Sequence, residues 1–442
     1  MVLKKDDTAS KNALLDYLYG LERFGIKLGL DVMHQLMDLL DHPEKKFKSV
    51  HITGTNGKGS TAAFLYSILQ RAGYSVGLYT SPHLVEFNER VQVKGKCILN
   101  EELVLLVDEI KDKIALQGNK IQPTFFEFTT ALAFLYFARK KVEYAIIEVG
   151  MGGRFDATNV IIPEISVITH VDFDHMKYLG ETKEKIAYEK AGIIKQRGVV
   201  VTGETDESIL VLFSTICIER SAELHVLDGE LNVKNIFSDA VGREEIVCGI
   251  NLTGQRFSLK GVIEGEFDIL MLGEHQVRNA ALAVFAAYYL GIDAATIRSG
   301  VAKAVWRGRL QVLSKNPLVL LDGAHNMDGV LALRRFIERI DGKKVFVLGF
   351  SKDKDIENML SVLVPFASRI IFTQGNFKPA DLEYLEKIGR KLTSVPIECS
   401  TVANALRAAG SYASNGEVII IAGSLYLAGD VLACVENEKF FF

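Results

Sequence analysis

The stretch His51-Ile-Thr-Gly-Thr-Asn-Gly-Lys-Gly-Ser-Thr61 constrains the fold of this chain more than any other feature of its 442 residues. Val50 and Ile52 alternate with polar neighbours, as in a short strand, and apolar residues recur at helical spacing between residues 64 and 69. In a strand, glycine-rich loop and helix arranged in this order, backbone N–H groups and a helix N-terminus converge on an anion. The stretch therefore predicts a nucleotide-binding βα unit.

The loop carries the chemical groups that hold phosphate. Its glycines let backbone N–H groups approach phosphate oxygens, Lys58 is a mobile cation, and Ser60 or Thr61 offers a hydroxyl to Mg²⁺. It differs from the ordinary phosphate-binding loop, because Ile52 stands at the first glycine position and Gly59 directly follows the lysine. A glycine-rich turn without a phosphate role is the alternative interpretation. We predict nucleotide contacts from Gly54, Thr55, Asn56, Gly57, Lys58, Gly59, Ser60 and Thr61.

Composition argues against several other classes of protein. The formal net charge of −4 gives no reason to expect nucleic acid or an anionic membrane as a partner. The N-terminus lacks the apolar segment of a signal peptide, and no apolar run reaches the length of roughly 18 residues that a membrane span needs. The cysteines form no CxxC pair, which argues against a zinc site or a disulfide framework. They are Cys97, Cys217, Cys248, Cys399 and Cys434. We expect a cytoplasmic protein.

Apolar strand-like runs alternate with amphipathic helices over most of the chain, which is typical of parallel sheets with helices on both faces. The predicted fold class is therefore α/β. In the first part we predict strands just before the glycine loop and at 76–79, 144–149, 165–169 and 199–201. In the second part we predict strands at 318–321, 345–348, 370–373, 396–399 and 418–421. These two series predict two domains, residues 1–295 and a smaller, doubly wound domain of residues 296–442.

Between the two series the character of the sequence changes. From about residue 203 to residue 272, short alternating pieces such as Glu223–Leu227 and Arg256–Val262 are separated by Gly, Asp and Asn. This pattern predicts a small antiparallel appendage rather than further helix-covered strands. We also predict a short hinge near residues 292–304, so that a nucleotide bound to the first domain faces the second across a cleft.

Polar residues follow successive predicted strands of the first domain, at the edge where open α/β sheets bind ligands. Ser81 follows the second strand, Glu148 lies at the end of the third, and His175 follows the fourth. Together with Ser60 they offer hydroxyl, carboxylate and imidazole ligands, enough for two Mg²⁺ ions bound to phosphate. Taken singly, each has a simpler explanation as a turn, a loop cap or a solvated histidine.

Other candidates lie further along the chain. Lys190 precedes small residues and is either a phosphate-facing cation or a surface lysine. Asp322 and His325 directly follow an apolar strand, so we expect another ligand loop there. Arg309 lies near the only tryptophan in the predicted hinge, where it would swing onto a triphosphate on closure or simply stay exposed. Ser424 follows the last strand and repeats the strand-end pattern.

In this order, the motifs closely resemble the folylpolyglutamate synthase and dihydrofolate synthase family, within the wider group of Mur-type ATP-dependent ligases. The resemblance spans nearly the whole chain. The motifs that carry it are Gly54–Ser60, Thr80–Leu84, Glu148–Asn159, Asp174–His175 with Leu179–Thr182, Glu189–Ile193, His275–Gln276 with Asn279–Ala280, Trp306–Leu310 and Asp322–Asn326. It implies that residues 1–295 form an ATPase domain of the Mur-ligase type with a folate site, and that residues 296–442 form the glutamate-ligase domain.

The resemblance also implies a role for each candidate residue. Lys190 would be carbamylated by CO₂ and would act in catalysis with Lys58, Asp322 and His325. ATP would contact the glycine loop with Asn279, Arg309 and Asp322. Two Mg²⁺ ions would bind Ser60, Ser81, Glu148 and His175. Folate would contact Phe126, Arg154 and Asp156, and glutamate would contact His325 and Ser424.

The implied reaction begins when the terminal carboxylate of tetrahydrofolate attacks the γ-phosphate of ATP, and the amine of L-glutamate then displaces phosphate from the acyl phosphate. A bifunctional enzyme that also makes dihydrofolate from dihydropteroate is the alternative. A Mur-type cell-wall ligase fits less well, because only about 50 residues precede the glycine loop, and a non-catalytic nucleotide switch would not need two metal sites. The expected partners are small molecules, with no nucleic acid or membrane, and a monomer suffices.

Overall fold

The structure of the protein, a computed structural model, describes residues 6–21, 25, 29–118, 120–236, 246–247, 250–413 and 417–438. Its first sheet consists of β1 (Lys48–Thr53), β2 (Val76–Tyr79), β3 (Val91–Val93), β4 (Lys96–Cys97), β5 (Tyr144–Glu148), β6 (Ile165–Ile168), β7 (Val199–Thr202) and β8 (Glu223–Val226). The spatial order is β4-β3-β2-β5-β1-β6-β7-β8. All pairings are parallel except those of the edge hairpin β3–β4.

Strand β1 lies in the middle of this sheet, and every residue after Lys48 in it is buried. Such a strand is expected where helices cover both faces of a parallel sheet. The helices of this half are α1 (Asp6–Gly20), α2 (Asp31–Leu39), α3 (Lys58–Arg71), α4 (Asn100–Leu116), α5 (Phe125–Lys140), α6 (Met176–Leu179), α7 (Lys183–Ala191), α8 (Glu207–Glu219), α9 (Leu227–Glu230), α10 (Glu274–Tyr289) and α11 (Ala294–Val301). Helices α3, α10 and α11 pack on one face, and α1, α2, α4 and α5 on the other.

An antiparallel appendage follows α9, as predicted. It contains β9 (Leu231–Ile236), β10 (Ile246–Val247), β11 (Ile250–Asn251), β12 (Gln255–Gly261) and β13 (Gly265–Ile269). Strand β12 pairs antiparallel with both β9 and β13, which confirms the prediction for Arg256–Val262.

The prediction that Glu223–Leu227 belongs to this appendage is wrong. Residues Glu223–Val226 form β8, which pairs in parallel with β7 after the crossover helix α8. Because β8 has one neighbouring strand and is only partly buried, its sequence alternates polar and apolar residues like that of an antiparallel strand.

The second sheet consists of β14 (Gln311–Lys315), β15 (Leu318–Leu321), β16 (Lys344–Leu348), β17 (Ala367–Phe372), β18 (Ile397–Cys399) and β19 (Val418–Ala422), in the order β14-β15-β19-β16-β17-β18. Its helices are α12 (Met327–Ile337), α13 (Ile356–Leu363), α14 (Leu382–Leu392), α15 (Val402–Ala413) and α16 (Leu425–Glu438). Only β14, which the sequence did not predict, runs antiparallel to its neighbour. The α/β class is confirmed.

The segment 292–304, predicted as a hinge, contains helix α11, which packs on α3. The Ser67 hydroxyl donates a hydrogen bond of 2.6 Å to the Gly300 carbonyl. A Cβ on Gly300 would lie 2.5 Å from the Ile68 Cα, so the two helix backbones touch here. The predicted hinge position is therefore wrong, and residues 302–310 connect the two sheets. The boundary between residues 295 and 296 stays a prediction.

The described part of the chain has no helix that combines the length and the apolar character needed to cross a membrane. Within the described residues, Cys97, Cys217, Cys399 and Cys434 form no disulfide bond. Cys248 lies outside the described residues.

Candidate active site

The carboxyl ends of strands from both sheets border one cavity of about 630 Å³. The glycine loop and the residues after β2, β5 and β6 line it from the first sheet, and the loop after β15 lines it from the second. The cavity thus brings together most of the predicted ATP and metal residues. These are Gly54, Thr55, Asn56, Gly57, Lys58, Gly59, Ser60, Ser81, Glu148, His175, Lys190, Asn279, Arg309, Asp322 and His325.

The glycine loop has a conformation that larger residues would disrupt. Gly57 has φ +86°, and a Cβ there would lie 3.2 Å from the Asn279 Cγ and closer still to its Oδ1. Gly54 has φ +153°, and a Cβ there would meet the side chain of Thr169. Lys58 donates hydrogen bonds to the carbonyls of Gly54 and Thr55 at 3.0 and 3.1 Å. The ammonium group is therefore held over the loop, at the N-terminus of α3, where an anion is stabilised.

Replacing Gly57 with alanine is expected to weaken ATP binding by about tenfold or more, because the new methyl group displaces Asn279. Gly73 supplies a matched control at the other end of α3: it has φ +91° and no atom within 4 Å of a built Cβ. Both changes should cost about 1 kcal/mol of unfolding free energy through the left-handed backbone, as thermal denaturation can measure. Equal ATP affinity of the Gly57→Ala and Gly73→Ala variants in calorimetry would contradict this assignment.

Glu148 is the buried carboxylate at the end of β5, with 5% of its surface exposed. Its Oε2 accepts a 3.0 Å hydrogen bond from the backbone N–H of Ser81. Burial raises the pKa of Glu148, and the positive charges of Lys58 and Arg309 oppose this rise. The hydroxyl-bearing Ser60 is also buried in the first turn of α3. The site therefore offers hard oxygen ligands with little access to bulk water, which suits Mg²⁺.

Asp174 connects the two domains beside this group. Its Oδ1 accepts hydrogen bonds from Lys354 Nζ at 2.6 Å and from the backbone N–H of His175 at 2.8 Å. Its Oδ2 accepts one from Asn326 Nδ2 at 3.1 Å, and His325 Nε2 lies 3.8 Å away. Burial alone would raise the pKa of Asp174, but His175 and His325 in their protonated forms, together with the charge of Lys354, lower it below its ordinary value. A carboxylate thus joins the predicted metal ligand to the facing domain.

Sequence reasoning missed Lys354, although a signal was available. The residue follows strand β16 in the segment Ser351-Lys-Asp-Lys-Asp355, which is the strand-end position that identified the other candidates. Only 12% of its side chain is exposed, against 11% for Asp174. Which of several lysines after a strand reaches the other domain depends on how the domains pack, and sequence spacing does not contain this information.

A second contact ties the glycine loop to the start of α12. Asn56 Nδ2 donates to Asn326 Oδ1 at 3.0 Å and to Asp328 Oδ2 at 2.8 Å. Asp328 also lies 3.9 Å from His170, which in turn lies 3.6 Å from Glu204. Burial lowers the pKa of His170, but Glu204 and Asp328 outweigh this effect and raise it. The cavity wall therefore carries an imidazole between carboxylates of both domains, and these carboxylates favour its protonated form.

Burial favours the neutral form of two histidines of the site, the predicted metal ligand His175 and the predicted catalytic residue His325. Burial lowers the pKa of His175, and Asp174 opposes the shift only in part. Burial, followed by the charge of Lys354, lowers the pKa of His325 to about 4. The His325 Nδ1 lies 2.9 Å from the Gly323 carbonyl, so in the neutral ring this nitrogen is the donor and Nε2 keeps its lone pair. A neutral imidazole is the form that binds a metal ion or accepts a proton.

Lys190 is the buried amine of α7, with 3% of its surface exposed. Burial lowers its pKa well below the ordinary lysine value, and the charge of Lys58 lowers it further. The neutral amine is the form that attacks CO₂. An anionic carbamate would also relieve the repulsion between the two lysines, so the surroundings of Lys190 fit the predicted modification.

The predicted folate residues lie outside the lining of the cavity. Asp156 accepts hydrogen bonds from the backbone N–H groups of Met151 and Thr158, both at 3.0 Å, which order its own loop. Phe126 packs on Gly150, where a Cβ would lie 2.5 Å from the ring. The Arg154 guanidinium lies 4.6 Å from the ring centroid of Phe155 and is half-exposed. Their contacts with folate stay predictions.

Two further predicted residues also lie apart from the cavity lining. Ser424 Oγ accepts a 3.0 Å hydrogen bond from the Leu427 N–H and so caps α16. Thr61 is fully buried, and its hydroxyl has no hydrogen-bond partner among the described residues. Their contacts with glutamate and ATP stay predictions.

Comparison with known proteins agrees with this architecture. The family model of the Mur ligase middle domain matches residues 52–287, and that of the dihydrofolate synthetase C-terminal domain matches residues 309–434. The dihydrofolate synthase/folylpolyglutamate synthase of Bacillus subtilis (strain 168) is 40% identical over 435 residues, which cover 94% of this chain and 96% of that protein.

Solved structures give the same result. The crystal structure of folylpolyglutamate synthase from Thermotoga maritima has a TM-score of 0.84 at 33% identity and covers 98% of each chain. The folylpolyglutamate synthase of Mycobacterium tuberculosis, complexed with ADP and AMPPCP, has a TM-score of 0.86 at 30% identity and covers 97% of this chain and 98% of that chain. An N-terminal Mur-ligase-type ATPase domain with a phosphate-binding loop is thus followed by a smaller α/β domain, and the chain belongs to the folylpolyglutamate synthase/dihydrofolate synthase family.

Proposed function

We propose that the protein is an ATP-dependent ligase that adds L-glutamate to the terminal carboxylate of tetrahydrofolate and releases ADP and phosphate. The observation that carries this proposal is the shared cavity, in which the glycine loop and Glu148 face Asp322 and His325 of the other domain. The names of the Bacillus subtilis and Thermotoga maritima proteins support the activity. The ADP and AMPPCP bound to the Mycobacterium tuberculosis protein support ATP as the nucleotide.

The proposed chemistry needs positive charge at the phosphates. A substrate carboxylate must approach the γ-phosphate of ATP, and one pair of unit charges about 4 Å apart repels by roughly 4 kcal/mol at an effective dielectric of 20. Two Mg²⁺ ions held by Ser60, Ser81, Glu148 and His175 would supply most of the opposing charge. Lys58 and Arg309 add two cations from the protein, one from the loop and one from the connection between the sheets. The reacting nucleophiles come from the substrates, so no protein nucleophile is required.

The remaining residues bind and orient the substrates in this proposal. Asn279 binds adenine, Asp322 binds the nucleotide from the second domain, and His325 orients the reacting groups. A carbamate on Lys190 adds the negative charge that organises the metal site. The contacts of Asp174 with Lys354 and of Asn56 with Asn326 hold the cleft closed. A closed cleft keeps water from the acyl phosphate and so favours attack by the glutamate amine.

We place the other substrates in the flanking regions of the cavity. Phe126 stacks on the pterin ring, while Arg154 and Asp156 contact the folate. Ser424 and His325 bind the incoming glutamate. All of these residues belong to a single chain, so we propose a monomer that acts in the cytoplasm on small-molecule substrates.

A bifunctional enzyme is the second candidate, because the Bacillus subtilis relative carries both activities in its name. The two acceptors share the pterin and differ at the carboxylate end, so one ATP site serves both reactions.

Mass spectrometry of glutamate- and ATP-dependent products tests the proposal, with tetrahydrofolate and dihydropteroate as parallel acceptors. We expect a product one glutamate heavier with tetrahydrofolate, and a second product with dihydropteroate if the enzyme is bifunctional. Omission of ATP or of glutamate is the control for each acceptor. Folded, ATP-binding protein that makes neither product would refute the proposed function.

A further inference from the structure

The segment that carries Ser81 is held by both domains. After β2, the backbone N–H of Ser81 donates to Glu148. A few residues later, the backbone N–H groups of Leu84 and Val85 donate to the carboxylate of Glu89 at 2.8 and 3.0 Å. These bonds fix the segment 81–85, here called the Ser81 loop, to the first domain. The side chains of Leu84 and Val85, at the far end of this loop, contact the second domain instead.

Leu84 and Val85 pack against the hydrophobic core of the second domain. The core that they contact contains Leu427 and Val431 of helix α16, both fully buried. The same helix begins beside the cavity, because Leu425 in its first turn is a lining residue. Helix α16 therefore touches the cavity at its start and the Ser81 loop one turn further along.

The closest approach is between two backbones. A Cβ on Gly429 would lie 2.8 Å from the carbonyl carbon of Leu84 and closer still to its oxygen, whereas ordinary contacts begin at 3.4 Å. Rotation of a side chain cannot relieve this overlap, because the atoms it meets belong to the main chain. A Cβ built on Gly308, in the connection between the domains, would lie 3.4 Å from the side chain of Leu84. The Ser81 loop thus rests directly on α16 at a position that admits only glycine.

We infer that Gly429 is a positioning residue: by letting the Leu84 backbone rest on α16, it places the Ser81 hydroxyl in the metal site when the two domains are together. This inference rests on the proposed function, in which Ser81 is a ligand of Mg²⁺. The second domain would then help to position two metal ligands. It would act on Ser81 through Leu84, and on His175 through the contact between Lys354 and Asp174. Metal binding and domain closure would be coupled through a contact that involves no charged group.

The test compares two glycine-to-alanine changes in helices of the second domain. Gly429→Ala introduces the backbone clash, whereas Gly410→Ala, in α15, has no atom within 4 Å of the new Cβ. The readout is AMPPCP binding with and without Mg²⁺, followed by fluorescence of Trp306, the only tryptophan. Its indole Nε1 would lie 2.9 Å from a Cβ on Gly59, so it reports on the glycine loop.

For Gly429→Ala we expect about tenfold weaker AMPPCP binding in Mg²⁺, unchanged binding without Mg²⁺, and roughly 10²-fold lower kcat, as for a misplacement of about 1 Å. Gly410→Ala should match the wild type in both AMPPCP affinities and in kcat. Leu84→Ala is a second variant, which removes the anchor without a clash and should also raise the Mg²⁺ concentration for half-maximal binding.

Three results would overturn the inference. The first is a Gly429→Ala protein that matches Gly410→Ala. The second is a Gly429→Ala protein that unfolds at lower temperature and loses AMPPCP affinity, relative to the wild type, by the same factor with and without Mg²⁺. The third, decisive if Gly429→Ala does not fold, is a Leu84→Ala protein with an unchanged Mg²⁺ requirement. Because this binding assay needs neither folate nor glutamate, it separates the inference from the proposed ligase activity, which the wild-type product assay tests.

Discussion

Replacing Lys190 with alanine is expected to lower turnover on the order of 10³-fold, comparable to the loss of a key electrostatic group in other active sites. The buried amine has its pKa lowered by burial and by Lys58, so it is available to react with CO₂. In the proposed carbamylated state, its removal would take an anion from the metal site and a partner from Lys58. Steady-state product formation by mass spectrometry measures the effect. Lys185, an exposed lysine on the same helix, provides the control, because Lys185→Ala should keep wild-type turnover.

A dependence on CO₂ would separate carbamylation from a plain cationic role. Wild-type turnover should fall in CO₂-depleted buffer and return when bicarbonate is added, whereas the residual turnover of Lys190→Ala should respond to neither. Added acetate should restore part of the activity of this variant, since a small carboxylate can occupy the vacated space. If Lys190→Ala retained full turnover, Lys190 would have no place in the mechanism.

Replacing Glu148 with glutamine is expected to abolish Mg²⁺-dependent ATP binding and to reduce turnover on the order of 10³-fold or more. Glutamine has the same shape and can still accept the Ser81 N–H hydrogen bond, so the change removes mainly charge. It also removes the carboxylate that does most to raise the pKa of Lys58 against the effect of burial. Titration of ATP with and without Mg²⁺ measures the loss.

The matched control, Glu143, lies directly before the first residue of the same strand. Glu143 also accepts a backbone hydrogen bond through its carboxylate, from the Ser75 N–H at 2.8 Å, but it is exposed. Glu143→Gln should therefore leave Mg²⁺-dependent binding unchanged. An equal loss in both variants would show that the damage comes from the strand and its loops, and would remove Glu148 from the metal site.

The fold was predictable where buried strands are short, apolar and followed by amphipathic helices. Val76–Tyr79 and Leu318–Leu321 have the predicted bounds, because each is a fully buried strand whose ends are marked by polar or turn residues. The edge strands β8 and β14 were misassigned or missed. An edge strand pairs on one side only, so its sequence carries a weaker and more ambiguous pattern.

The site was predictable for residues that follow strands of a single sheet. Ser81, Glu148 and His175 lie together because parallel strands end at the same edge. Lys354 and Asp328 were not predicted, since their roles depend on how one domain rests on the other. The hinge was misplaced for a related reason: α11 is anchored to α3 by Gly300, and a glycine that permits close helix packing looks in sequence like a flexible linker residue.

Asp174 has a consequence for the end of the reaction cycle. Its carboxylate is balanced by Lys354 and held by Asn326 only while the domains are together. Separation leaves a partly buried anion with the His175 N–H alone, which is costly until water enters. The ion pair that completes the site therefore also opposes opening of the cleft, and we expect it to slow the departure of ADP rather than amide formation.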